Sequence, residues 1–255
     1  MIETLTILEK ITTIDNPNIR VIILKNNSVA LKKENTYNIQ IMGKSMLQWV
    51  QDTVRKYPSK SVDYSNQDII EFVKPLLEDE DYTLILYSDT PLLKESTIDK
   101  IIEYATIKNS AIIQLPRGYV LNTQLIKNNS FEYSSKPQFF EGEDFLIVNN
   151  FTNLQVAQKI IKNRIITNFI KNGVNILDEN VYIEANVKIG KDTIIYPNTV
   201  LLGESIIGEK CIIYPSVTII DSIIKDNVQI YANTIVKQKI LANSIIPPYN
   251  NNYTK

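Results

Sequence analysis

Apolar residues fall into three successive patterns along the chain. Over residues 1–150, short apolar runs alternate with helical periodicity. Residues 21–24, 82–87, 111–115 and 145–148 read as buried strands. Between them, 45–57 puts Met46, Trp49, Val50 and Val54 on one helical face. Ser96 can cap a second helix that turns Ile98, Ile101, Ile102 and Ala105 inward. Strands that are apolar throughout suit a sheet covered on both faces. The first pattern therefore predicts an α/β layered domain with a mainly parallel sheet.

The second pattern, over 152–172, is a single helix. Thr152 and Gln155 have capping-box spacing. Leu154, Ala157, Ile161, Ile165 and Phe169 form its apolar stripe, and Gly173 sits where a left-handed C-terminal residue is wanted. This is a rigid connector rather than a flexible linker.

The third pattern has a period of six. Ile183, Ile189, Ile195, Leu201, Ile207, Ile213 and Ile219 keep it, and after one five-residue step Ile224, Ile230 and Val236 resume it. Four residues after these come Val187, Thr193, Thr199, Ser205, Cys211, Val217, Ile223, Val228 and Thr234, mostly small. One large and one small inward residue per six means a triangular coil with three short strands per turn, here about three coils. A strand would show period two and a helix 3.6. Such a stack leaves flat apolar surface to cover, and threefold packing into a homotrimer covers it. The expected division is 1–150 for the α/β domain, 151–173 for the connector, 174–240 for the repeat and 241–255 for a C-terminal tail.

Composition narrows the chemistry. There are 27 basic and 28 acidic residues, for a net charge of -1. That balance gives no broad pull toward nucleic acid or an anionic membrane. No apolar run reaches the ~20 residues that span a bilayer, and the acidic start lacks the basic region of a secretory signal. The single cysteine, Cys211, falls in a small inward slot and reads as a buried hydrophobe. A reducing, cytoplasmic setting follows as the expectation. Histidine is absent, which removes every mechanism that needs a histidine base, nucleophile or metal ligand.

Several segments carry a resemblance. VNNFTNLQVAQKIIKNRI, followed by NGVNILDENVYIEANVKIGKDTIIYPNTVLLGESIIGEKCIIYP, lies within 148–234. Upstream stand LYSDTPLL (86–93), GKSMLQWV (43–50) and PRGYVLNTQLIK (116–127). Together they resemble the bifunctional N-acetylglucosamine-1-phosphate uridyltransferase / glucosamine-1-phosphate acetyltransferase family (GlmU-like), whose matching segments read LYGDTPLL, GKPMLEHV and NTGIYVFNTELLK. The resemblance implies an α/β nucleotidyltransferase-like, Rossmann-like domain, a connector helix, and a left-handed parallel β-helix of hexapeptide repeats. It implies a nucleotide or sugar-phosphate ligand beside Tyr87, Ser88 and Asp89. It also implies Mg²⁺ held by Asp89 and Asn149. Two hard oxygen ligands plus substrate phosphates suit Mg²⁺, and Asp89 follows a strand's C-terminal end, where α/β ligands bind. The same residues have plainer readings, Asp89 as a turn cap before Thr-Pro and Asn149 as a helix cap.

The departures are as informative. In the resembled family a glycine-rich LAAGxGTRM loop follows the first strand and cradles phosphates. Here Leu24 is followed by Lys25, Asn26, Asn27, Ser28, Val29 and Ala30, without glycine. The phosphate-binding lysine position falls on Thr36, which leaves Lys25, Lys32 or Lys33 to take the role. A uracil-reading segment has no counterpart between Val50 and Tyr82, and the sugar-binding Asn-Thr-Gly becomes Pro116-Arg117-Gly118. Losing one preorganised donor costs ~10²–10³ in rate, and several are missing together. The expectation is a divergent homologue with weak or lost uridyltransferase activity. Acetyl transfer is not expected, because its base is a histidine and its site lies in coils beyond this chain's repeat. The alternative is a catalytically dead, trimeric binding, regulatory or scaffold module.

Overall fold

A computed structural model describes residues 17–27, 31, 35–65, 68–129, 142–242 and 245–249, and the backbone of 133–134. In chain order the first part carries β1 (Ile19–Lys25), β2 (Gln40–Ile41), β3 (Lys44–Ser45), α1 (Met46–Thr53), β4 (Ser59–Asp63), α2 (Ile69–Val73), β5 (Tyr82–Tyr87), α3 (Glu95–Lys108), β6 (Ile112–Leu115), β7 (Gly118–Asn122), α4 (Thr123–Lys127) and β8 (Tyr133–Ser134). The connector is α5 (Phe151–Lys171). The chain divides into two compact units, residues 1–38 with 46–151, and residues 39–45 with 152–255. The small β2–β3 hairpin thus belongs to the second unit, where Ala185 N–H donates to Met42 O at 2.9 Å.

In the first unit a six-stranded sheet runs in the order β4-β1-β5-β7-β6-β8. β1 pairs in parallel with both β4 and β5, whereas β7 is antiparallel to β5 and to β6. The mainly parallel sheet expected from the apolar runs is therefore present, with β7 as its reversed member. Alternate residues of β1 serve opposite faces. Val21 and Ile23 pack with Val50, Val54, Ile98, Ile101 and Ala105, while Ile22 and Leu24 pack with Ile70, Val73 and Ile126. Burial on both faces is why these strands read as unbroken apolar runs.

Three local readings change. Residues 145–148 form no strand; a 3-10 turn (Glu143–Phe145) precedes an extended stretch. α3 starts at Glu95 with Lys94 at the cap position and no side-chain cap, so Ser96 lies inside the first turn. α5 likewise starts at Phe151, which puts Thr152 inside the helix rather than at its cap. The end of α5 follows the sequence closely. Gly173 has φ +86°, its N–H bonds Ile170 O at 3.1 Å, and Val174 N–H reaches Phe169 O at 3.1 Å. This is a Schellman stop, with Phe169 and Val174 in one apolar cluster.

In the second unit the period of six becomes a left-handed parallel β-helix with three faces of four, four and five short strands. Inward residues stack in register: Ile183 on Leu201, Ile219 and Val236; Ile189 on Ile207, Ile224 and Leu241; Ile176 on Ile195, Ile213 and Ile230. The stack runs further than the sequence period, since Ile245–Ile246, in the segment read as a tail, pairs with Gln229–Ile230. The five-residue step shifts one slot. Ser222 is buried and takes the small inward position, while Ile223 points outward with 39% exposure. Buried hydroxyls in these slots are satisfied by backbone carbonyls, as Thr193 Oγ1 is by Gly208 O at 2.8 Å and Ser205 Oγ by Leu202 O at 2.7 Å. Many corners place Asp192, Asn198, Lys210, Ser216, Asn227 or Asn233 at positive φ. Asn and Asp tolerate that conformation best among side-chain-bearing residues, which lets a chain with seven glycines build the coil.

Candidate functional site

The C-terminal ends of β1 and β5 lie side by side, since Leu24 pairs with Tyr87. In open α/β sheets this is where ligands bind. The next residues of each strand form one polar network. Ser88 N–H donates to Leu24 O at 3.0 Å. Asn26 N–H donates to Ser88 Oγ at 3.3 Å, and Ser88 Oγ donates to Asn26 Oδ1 at 3.0 Å. Asn26 Nδ2 then donates to Asp89 Oδ2 at 2.6 Å.

Asp89 is held from the other side by Arg117. Nη2 lies 2.7 Å from Oδ2 and Nε lies 3.1 Å from Oδ1, a two-point grip on a carboxylate whose side chain is 6% exposed. The guanidinium carbon also lies 3.8 Å from the centre of the Tyr87 ring. Burial pushes the Tyr87 phenol well above its ordinary value. Gly118 makes this approach possible. It has φ +129°, and a Cβ there would fall 2.3 Å from Ile85 O. Only glycine lets the turn between β6 and β7 come down this close to β5, and that turn carries Arg117.

The loop after β1 is also self-satisfied where it is described. Thr36 N–H donates to Asn27 Oδ1 at 3.0 Å, and Thr36 Oγ1 to Asn26 O at 3.3 Å. Lys25 has partners of its own. Its ammonium pairs with Asp63 at 3.0 Å and lies 5.4 Å from the centre of the Tyr37 ring. Lys32 and Lys33, the other candidates for that role, lie outside the described residues.

The structure thus brings Tyr87, Ser88 and Asp89 together, but with partners drawn from the chain itself. Asn149 is exposed, and its Oδ1 accepts from Asn150 Nδ2 at 3.0 Å. Val148 N–H donates to Asp89 O at 2.8 Å, which brings the backbone just before Asn149 alongside Asp89. A magnesium ion at Asp89 and Asn149 would have to share the Asp89 carboxylate with Arg117 and Asn26, which already donate to both of its oxygens. Among the described residues no group of three or more His, Cys, Asp or Glu could hold a metal ion. Sequence reasoning registered Arg117 as a lost amide. Its gain, a cation aimed at the strand-end aspartate, was visible only as a basic residue where the resembled family has an uncharged one.

Comparison with known proteins bears on both units. Residues 186–221 match the family model described as bacterial transferase hexapeptide (six repeats). The bifunctional protein GlmU of Clostridioides difficile (strain 630) is 30% identical over 246 residues, covering 71% of this chain and 54% of that protein. That of Clostridium beijerinckii is 27% identical over 302 residues, covering 82% and 66%. That of Clostridium kluyveri is 38% identical over 127 residues, covering 49% and 27%. The chain therefore spans from about a quarter to two thirds of the length of these relatives. A solved structure described as 4-diphosphocytidyl-2C-methyl-D-erythritolsynthase from Anaerococcus prevotii has a TM-score of 0.42 at 11% identity, over 58% of this chain and all of that one. No helix among the described residues is long and apolar enough to cross a membrane. The resemblance read from the sequence holds: the chain is GlmU-like, over a span shorter than those relatives.

Proposed function

We propose that this GlmU-like chain has lost ordinary sugar-1-phosphate uridyl transfer and acts as a homotrimeric module built on its β-helix. The closed network of Asn26, Ser88, Asp89 and Arg117 carries this reading. The resembled chemistry needs the strand-end carboxylate free for Mg²⁺ and the first loop's N–H groups free for phosphates. Here Arg117 and Asn26 occupy the carboxylate, while Ser88 and Asn27 accept the N–H groups of Asn26 and Thr36. When one withdrawn donor costs ~10²–10³ in rate, the joint loss removes useful turnover. In the resembled reaction Mg²⁺ would neutralise the nucleotide phosphates; with Arg117 in place Asp89 does not bind it. Acetyl transfer through a histidine base is absent from the reading because the sequence has no histidine.

Association rests on the outward face of the coil. Ile206, Ile223 and Ile240 are stacked in register, with 40%, 39% and 68% of their surface exposed. A ladder of three isoleucines on a flat sheet needs cover in water. Two further copies of the same chain supply it with matching ladders. The balanced charge and the single buried cysteine fit a cytoplasmic home, without nucleic acid or membrane as partner.

The test is pyrophosphate release from UTP with Mg²⁺ and a panel of sugar 1-phosphates, N-acetylglucosamine 1-phosphate among them. The reading expects no release above a no-enzyme control for any member. Sustained release with one of them, abolished in Asp89→Asn, would overturn it.

A further inference from the structure

Resting on that reading of a self-occupied site, we propose that Arg117 is a built-in replacement for a divalent cation, and that Asp89 is a latent metal site which the guanidinium keeps closed. A carboxylate as buried as Asp89 has three ways to be tolerated: it takes up a proton, pairs with a cationic side chain, or binds a metal ion. This chain uses the second. Arg117 meets both carboxylate oxygens in the forked geometry that only a guanidinium offers.

Three features show a place built for this cation rather than a chance surface pair. The Tyr87 ring lies 3.8 Å from the guanidinium carbon and covers one face of it. Gly118 removes the one Cβ that would keep the turn away, since an atom there would sit 2.3 Å from Ile85 O. Asn26 donates to Asp89 at 2.6 Å and adds a further fixed dipole to the same carboxylate. A divalent ion entering beside Arg117 would face a like charge across a largely dry carboxylate, so metal and arginine exclude one another.

The donors a metal would need remain nearby. Ser88 is beside Asp89 on the strand end, and Asn149 follows Val148, whose N–H holds Asp89 O. These are hard oxygen donors of the kind Mg²⁺ and Mn²⁺ prefer. Taking the positive charge off Asp89, while keeping the backbone that carries it, should therefore expose a cation site where the wild-type protein has none.

Mn²⁺ alone is the probe, titrated into the full chain and followed by the electron paramagnetic resonance signal of the free ion. The proteins are wild type, Asp89→Asn, Arg117→Asn, Arg117→Gln and the double variant Arg117→Asn/Asp89→Asn, each first shown to be folded by circular dichroism. Wild type and Asp89→Asn are expected to bind Mn²⁺ alike and weakly. Arg117→Asn or Arg117→Gln is expected to bind one ion at least ~10-fold more tightly, and to gain thermal stability from it. The double variant is expected to lose both effects. A wild-type site that vanishes in Asp89→Asn would overturn the proposal, and so would folded Arg117 variants that bind no better than wild type. Should neither Arg117 variant fold, wild type against Asp89→Asn still tests whether the site is closed: equal weak binding supports that, and an Asp89-dependent site overturns it. Pyrophosphate release without an Asp89-dependent Mn²⁺ site would overturn the functional reading alone. The reverse result would overturn this inference alone.

Discussion

Arg117 grips Asp89 at two points, Nη2 to Oδ2 at 2.7 Å and Nε to Oδ1 at 3.1 Å, and the two partners are unequally buried. The Asp89 side chain is 6% exposed and that of Arg117 is 28% exposed. The inequality fixes the order of mutational effects. Arg117→Ala leaves a nearly dry carboxylate with Asn26 as its remaining side-chain partner among the described residues, a loss of about 3–5 kcal/mol. Asp89→Asn leaves a guanidinium that solvent can partly reach, and should cost less. Urea unfolding of the two variants checks the order, and equal losses would show that the unequal burial of the two partners does not set it.

The β-helix makes a contrast available between adjacent residues. Ile207 is 2% exposed and its neighbour Ile206 is 40% exposed. Ile207→Asp puts an unpaired charge into the stacked core and should abolish the cooperative thermal transition of the repeat. Ile206→Asp leaves the core intact and should keep the circular dichroism spectrum while breaking the association. Light scattering should give about three times the chain mass of 29.2 kDa for the wild type and one chain mass for Ile206→Asp. A wild-type protein at one chain mass would refute the trimer.

Alkaline pH should destabilise the fold, with two buried groups among the contributors. Burial pushes the Tyr87 phenol and the Cys211 thiol above their ordinary values of 10.0 and 9.0. Each therefore holds its proton more tightly in the folded than in the unfolded chain. Their contribution is full below pH 9.0 and falls as pH rises through that value toward the raised ones. Urea midpoints measured across this range should decline with pH, and Tyr87→Phe with Cys211→Ala should flatten the decline. An unchanged slope in that double variant would assign the effect elsewhere.

Much of the fold was legible because it rests on periodicity. The apolar strand 82–87, the buried face of α3 and the stacked isoleucines of the coil all follow from spacing alone. The exceptions have physical causes. Ile223 was assigned inward by counting, but a shortened corner at Asp221 hands the slot to Ser222. β7 and α4 went unread because Gly118 opens the strand and Asn122 both ends it and caps the helix, so neither shows as a separate apolar run. At the site, the strand-end aspartate was found from its segment, while its partner was not. Arg117 is 28 residues away in sequence and reaches Asp89 only because β7 folds back antiparallel on β5. Pairings of that kind depend on sheet order, which local spacing does not encode.

The central question is whether the chain's own side chains close the strand-end site to a nucleotide. Calorimetric titration of UTP with Mg²⁺ into the wild-type protein measures this most directly. No saturable heat above dilution is expected, in Asp89→Asn as in wild type. Saturable binding in the wild type that disappears in Asp89→Asn would contradict it.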